Sequence, residues 1–332
     1  MFRTCSINSL LTQGLLLLAL PLVACTAETG AIRSVELELA SESIQVETDT
    51  GALQGTLLLS PDPEPHPVVL IVAGSGPTDR DGNSALLPGK NNSLKLLAEA
   101  LAEQGIASVR YDKRGIAESA NVESSEAELR FETYADDATE WIQKLKADRR
   151  FTSVTVLGHS EGSLVGMLAV QRSDADSFIS IAGGANRASD LLREQARNQL
   201  PSELQAESEQ ILAALESGQT TNEVSEELFS LYRPSVQPYL ISLFKYVPVQ
   251  EIEKLNVPTM IVQGTTDIQV GVTEAQALGQ AKPEAEVRII KGMNHVLKSV
   301  PEDLAQQQSS YTDPSLPIEA KLVEEIVRFV KG

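Results

Sequence analysis

The chain has 332 residues, 42% hydrophobic and 22% charged, which is enough apolar mass for a real core and excludes a disordered chain. At roughly 100–200 residues per domain, that length fits two units or one large α/β unit carrying an insertion. Lys and Arg number 27 against 46 Asp and Glu, a net charge of −19 that excludes a nucleic-acid binder relying on a basic surface, and two cysteines exclude a disulfide scaffold or a multi-cysteine metal site.

Residues 1–25 read as an export signal. Arg3 supplies the positive start, and residues 15–23 form an apolar stretch shorter than the roughly 20 residues that span a bilayer. The stretch ends in Leu22-Val23-Ala24-Cys25, which resembles the bacterial lipoprotein box. The resemblance implies cleavage before Cys25, lipid on its thiol and anchoring at the cell envelope. Thr26, rather than Asp, implies the outer membrane. Cys5 leaves with the signal, so the mature chain is expected to hold no disulfide.

Residues 26–60 are expected to be a short spacer followed by an antiparallel hairpin. Val35, Leu37, Leu39, Ile44, Val46, Leu53, Leu57 and Leu59 alternate with polar residues around Asp49-Thr50-Gly51. A first core segment, 61–184, contains the continuous apolar run 68–73 and further runs at 107–111, 154–157 and 178–181. Helical patterns separate them, marked by Leu94, Leu97 and Leu101 and by Tyr134, Trp141 and Leu145. Such alternation predicts a mostly parallel sheet flanked by helices. Residues 185–255 carry several helical patterns and no clear strand, which predicts an inserted helical cap; its acidity is no greater than that of the rest of the chain. Residues 256–332 resume the core with strand runs at 259–262 and 287–290.

Gly158-His159-Ser160-Glu161-Gly162 follows a strand pattern and opens a helical one. This is the G-x-S-x-G elbow, in which a sharp turn exposes the serine at a helix N-terminus, where backbone N–H groups and the dipole favour developing negative charge. Ser160 is therefore the candidate nucleophile. A serine hydroxyl needs a base, usually His, and the sequence offers three. His66 precedes a strand, at its wrong end. His159 sits inside the elbow and is expected to support the turn from beneath. His295, in Gly292-Met293-Asn294-His295 just after the last strand, lies where parallel sheets assemble sites. Asp267, in Gly264-Thr265-Thr266-Asp267, is the only acidic residue between Glu253 and Glu274, and it is the candidate partner that orients His295.

With Ser160, Asp267 and His295 in the chain order of that fold, residues 65–183 and 256–298 resemble the α/β-hydrolase superfamily. The closest resemblance is to its bacterial secreted esterases and serine-aminopeptidase-like hydrolases. Supporting motifs are the 73–82 run Ala-Gly-Ser-Gly-Pro-Thr-Asp-Arg-Asp-Gly, Tyr111-Asp112-Lys113-Arg114-Gly115, the elbow, and the Asp267 and His295 motifs. Ala117 departs from the family's Asp-x-Arg-Gly-x-Gly pattern, which puts the local loop geometry in question. Acyl transfer builds charge on a carbonyl oxygen, and two N–H donors should meet it. The Glu161 N–H is one, and Ser75, with Gly76 as the second choice, is the other; Pro77 has no N–H. Asp79, Arg80 and Asp81 are candidates for a charged pocket wall, weighed against a salt-bridged loop, and Arg114 with Asp112 is expected to support a loop. The expected activity is hydrolysis of a small-molecule carboxylic ester through an acyl-enzyme. No cofactor, metal or nucleic acid is expected. An aminopeptidase or amidase on the same triad is the alternative, and a non-catalytic binding module is a further one.

Overall fold

The computed structural model of the protein describes residues 39–122 and 125–332. The expected signal, its Cys25 and the spacer up to residue 38 lie outside the described residues, as do Val35 and Leu37. Leu39 stands just before the first strand.

The elements in chain order are β1 (Ser41–Thr48), β2 (Gly51–Leu58), β3 (His66–Val72), α1 (Ser93–Ala102), β4 (Ala107–Tyr111), α2 (Phe131–Ala147), β5 (Phe151–His159), α3 (Glu161–Gln171) and β6 (Ser177–Ile181). Five helices follow: α4 (Ala188–Gln199), α5 (Ser202–Glu216), α6 (Phe229–Tyr232), α7 (Gln237–Leu243) and α8 (Pro248–Glu253). The chain then resumes as β7 (Thr259–Gly264), α9 (Val272–Ala281), β8 (Glu286–Ile290), α10 (Leu304–Ser310) and α11 (Ala320–Lys331).

The eight strands form one sheet in the order β1-β2-β4-β3-β5-β6-β7-β8. β1 pairs antiparallel with β2, and β2 with β4; every other neighbour is parallel. The hairpin and the mostly parallel sheet are thus as the sequence pattern predicts. The apolar run in β3 shows why it is continuous rather than alternating. Val68, Leu70 and Val72 enter the core layer on one face, while Val69, Ile71 and the following Ala73 enter the layer on the other. Trp141, Leu145, Leu164 and Leu168 from α2 and α3 cover the first face. Leu94, Leu97 and Leu101 of α1, with Leu322 and Ile326 of α11, cover the second.

Between β6 and β7 the described residues contain no strand. The helical insertion buries Leu212, Leu215, Leu228 and Tyr232 in continuity with the first-face core. Its ends are tied down by hydrogen bonds. The Glu274 carboxylate of α9 accepts from the N–H groups of Ala185 and Asn186, and Ser242 Oγ of α7 accepts from the Phe131 N–H of α2 at 2.7 Å. Ala117 adopts φ 44°, a left-handed conformation that glycine takes more readily. The loop makes this turn without a glycine at that position and is held by hydrogen bonds from Gly115 N to Ser119 O and from Ser119 N to Ile116 O.

Candidate active site

β5 ends at His159 and α3 begins at Glu161, so Ser160 alone makes the connection. Its φ of 56° and ψ of −125° are strained for a residue with a side chain, at a cost on the order of 1–3 kcal/mol. The turn is tied on both sides: Ser160 N donates to Ile181 O, and Ser160 O accepts from Ser163 N, both at 2.9 Å. A Cβ at Gly158 would stand 2.2 Å from Gly162 O, and one at Gly162 would stand 2.3 Å from Val72 O. Only glycine at both positions lets the helix start this close to β5 and β3.

Asp267 and His295 come from the loops after β7 and β8. The His295 Nδ1–H donates to Asp267 Oδ2 at 2.8 Å, which leaves Nε2 as the ring's acceptor. The two side chains are 7% and 1% exposed. Asp267 accepts three further hydrogen bonds: Gln263 Nε2 to Oδ2 at 3.0 Å, and the Gln269 and Val270 N–H groups to Oδ1 at 2.8 and 2.9 Å. Burial pushes its carboxyl up, but the His295 contact and the two amides outweigh burial and hold its pKa below the ordinary value. The two loops are zipped together through Thr266 N to Met293 O and Gly292 N to Thr265 Oγ1. A Cβ on Gly264 would lie 1.9 Å from Met293 O, so this approach also requires glycine. Asn294 fixes the far side of the loop, accepting from Lys298 N and donating to Ser310 Oγ.

His159 braces the loop after β8 and makes no side-chain hydrogen bond to the turn among the described residues. Its Nε2–H donates to His295 O at 2.8 Å, bracing the backbone of the candidate base. Burial, with His295 beside it, pulls its pKa down to about 4, so the ring is neutral near pH 7. His66 is buried at the start of β3, away from these groups.

Ser160 and His295 border one cavity of about 260 Å³, together with Gly74, Ser75, Gly76, Gln269 and Tyr311. Gln269 Nε2 donates to Tyr311 Oη at 2.8 Å across its rim, and burial raises the Tyr311 hydroxyl to about 12. No hydrogen bond joins Ser160 Oγ to His295 among the described residues, an arrangement common before substrate tightens a site. Among these residues, too, the N–H groups of Ser75, Gly76 and Glu161 meet no acceptor. A second cavity of about 660 Å³ shares Gly76, Pro77 and Leu86 with the first and extends between the sheet domain and the insertion, reaching Lys113, Tyr134, Glu161, Arg233 and Tyr239.

In the charged run after Ser75, Asp79 lines a neighbouring cavity of about 340 Å³ and each of the three side chains has partners of its own. Arg80 forms a bidentate pair with Asp112 and also donates to Thr56 and Glu118. Asp79 accepts from the N–H groups of Asp81 and Asn83, and Asp81 pairs with Arg110 at 3.4 Å. None of the three borders the Ser160 cavity. Arg80 and Asp81 are each paired with an opposite charge from outside the run, while Asp79 is held by amides alone. Asp112 is committed to Arg80, and Arg114 pairs instead with Asp137 of α2 at 2.6–2.7 Å.

Sequence reasoning missed three polar groups. Gln263 is a fully buried amide at the end of an apolar strand, and such a residue signals a partner nearby. The Glu161 carboxyl accepts from Tyr239 Oη at 3.0 Å; burial raises its pKa against the pull of Lys113 and Tyr239. Lys113 is 3% exposed, and burial lowers its pKa while Glu161 opposes this. Tyr239 comes from the insertion, and no spacing in the sequence links it to the elbow. Among the described residues, no group of three or more His, Cys, Asp or Glu side chains is placed to hold a metal ion, and no helix is long and apolar enough to cross a membrane.

Residues 90–218 match the serine aminopeptidase S33 family. The esterase EstD of Thermotoga maritima is 27% identical over 286 residues, covering 84% of this chain; the chain spans 65% of the length of that relative. Est1E of Butyrivibrio proteoclasticus, solved with ferulic acid bound, superposes with a TM-score of 0.59 at 18% identity, covering 87% of this chain and 100% of that one. The Pyrococcus furiosus esterase Pf2001 superposes with a TM-score of 0.54 at 14% identity, covering 88% and 92%. By its sheet order, its elbow and these superpositions, the chain has the α/β-hydrolase fold.

Proposed function

We propose that the protein is a serine hydrolase of carboxylic esters working through an acyl-enzyme. The observation that carries this is the Asp267–His295 pair bordering the same cavity as a serine held on a strained elbow. Ser160 Oγ bonds to the ester carbonyl carbon as its proton passes to His295 Nε2. The carbonyl electron pair moves onto oxygen, where the Glu161 N–H and an N–H of the Ser75–Gly76 loop receive it. The C–O bond to the alcohol then breaks, and His295 returns the proton to the leaving oxygen. Water repeats the sequence to release the acid. Asp267 keeps the proton on Nδ1 and stabilises the imidazolium. Ser160→Ala should abolish p-nitrophenyl ester hydrolysis and fluorophosphonate labelling while circular dichroism stays unchanged. Retained hydrolysis in that variant rejects the triad, and a wild-type enzyme that the probe does not label favours a binding module.

One observation favours an amide substrate: the Glu161 carboxyl beside Ser160 resembles a receptor for a cationic N-terminus. Lys113 stands against the same carboxyl, however, and leaves little net charge to recognise an ammonium. Turnover of aminoacyl anilides alongside simple esters separates the two readings. From sequence alone we also propose export and lipid anchoring at Cys25. Loss of metabolic palmitate labelling in Cys25→Ser is the expected result.

A further inference from the structure

Lys113 follows β4 and is almost completely buried. Its Nζ donates to Gly74 O and, at 3.0 Å, to Gly76 O, and it stands 5.4 Å from the centre of the Tyr134 ring. A buried ammonium is costly unless paired and hydrogen-bonded. The two carbonyls and the nearby Glu161 carboxyl meet that need, and both carbonyls belong to the loop that faces the nucleophile.

A trans peptide unit is planar, so its N–H leaves the edge opposite its C=O. With Gly74 O held on Lys113, the Ser75 N–H points away from Lys113. Lys113 borders the 660 Å³ cavity, whereas Gly74, Ser75 and Ser160 border the 260 Å³ cavity. Gly74 stands so close that a Cβ there would meet Ser160 Cβ at 3.1 Å. The second carbonyl held by Lys113, that of Gly76, belongs to the peptide unit of Pro77, which has no N–H to aim. The Ser75 carbonyl accepts from Thr78 Oγ1 at 2.8 Å, which turns the Gly76 N–H away from Thr78. The charge-assisted bond at Gly74 O also polarises its peptide unit and makes the Ser75 N–H a stronger donor.

We infer that Lys113 is a positioning residue for the oxyanion site, which sets the Ser75 N–H as the donor that works with the Glu161 N–H. This rests on the ester-hydrolase reading above. In Lys113→Met, kcat for p-nitrophenyl esters should fall about a hundredfold, the loss typical of one oxyanion donor, with KM little changed. Affinity for a boronic-acid transition-state analogue should fall in parallel, and affinity for the product carboxylate should not. Added ethylammonium should restore part of the activity of Lys113→Ala, a rescue that a merely structural role would not show. A Lys113→Met enzyme with wild-type kcat, or a loss carried entirely in KM, overturns the inference. Absence of ester hydrolysis in the wild type rejects the ester-hydrolase reading instead. If the variants do not fold, amide spectra of ¹⁵N-labelled wild type bound to the boronate decide. The Ser75 amide proton should move downfield while that of Gly76 stays in place, and the reverse pattern overturns the assignment.

Discussion

Asp267 receives four donors on two oxygens, and only one of them is the candidate base. Asp267→Asn would keep the shape of the site and replace an acceptor with a donor facing Nδ1, forcing the proton onto Nε2. We expect kcat to fall about 10³–10⁴-fold with folding intact, measured by steady-state kinetics beside thermal melts. His159 makes a separate prediction about pH. Its folded pKa of about 4 lies below the ordinary 6.5, so between those values the unfolded chain binds a proton that the folded chain does not. The associated stability is complete above pH 6.5 and is lost as pH falls toward 4, with a slope of up to about 1.4 kcal/mol per pH unit. Asp267 acts lower: its stabilisation is present above the ordinary carboxylate value and is lost as pH falls through its depressed folded value. Urea melts from pH 7.5 to 5 should show the decline, and His159→Gln should flatten it. Ser160 and His295 were legible in the sequence because three histidines and one elbow leave few assignments. Lys113 and Gln263 were not, because a polar residue at a strand end looks alike whether it braces a site or faces water.

At the scale of elements, the elbow and the loops of the candidate site depend on glycines that allow backbones to touch. Gly264→Ala would drive Met293 O away and separate Thr266 N from it, displacing the loop that carries His295. The expected result is a loss of activity of at least about a hundredfold, because small misplacements at a reacting centre are that costly. Ser160 labelling by a fluorophosphonate should slow in step with ester turnover. The strands were legible because β3 through β7 are buried on both faces and therefore read as apolar runs with punctuated ends. The charged loop 79–81 was harder. Three ionisable residues beside a predicted oxyanion loop look alike in sequence whether they face substrate or their own protein, and only the fold sets Arg80 against Asp112 and Glu118 and Asp81 against Arg110.

For the whole molecule, the larger cavity is lined by both the sheet domain and the insertion, so on the proposed function substrate recognition would draw on both. Arg233 of the insertion pairs with Glu126, which also accepts from Ser235, and both Arg233 and Glu126 border the 660 Å³ cavity but not the smaller one. Arg233→Ala should therefore change KM severalfold for long-chain or bulky esters while leaving acetyl esters nearly unaffected. A chain-length series of p-nitrophenyl esters tests this, and equal effects across the series would exclude the larger cavity as a substrate site. The helical character of the insertion was legible from its periodicity, but how it docks was not, since Tyr239 meets Glu161 across 78 positions of sequence. The sheet also has a social consequence. Among the described residues β1 ends the strand order and one side of its backbone faces no neighbouring strand, an open template for another chain. Along that strand Glu47 places an exposed carboxylate, while Glu42 pairs with Arg150, on a protein that already carries −19, so two copies approaching edge to edge bring like net charges together. Crowding at high concentration is thus resisted by the rim of the sheet as well as by the net charge of the whole chain.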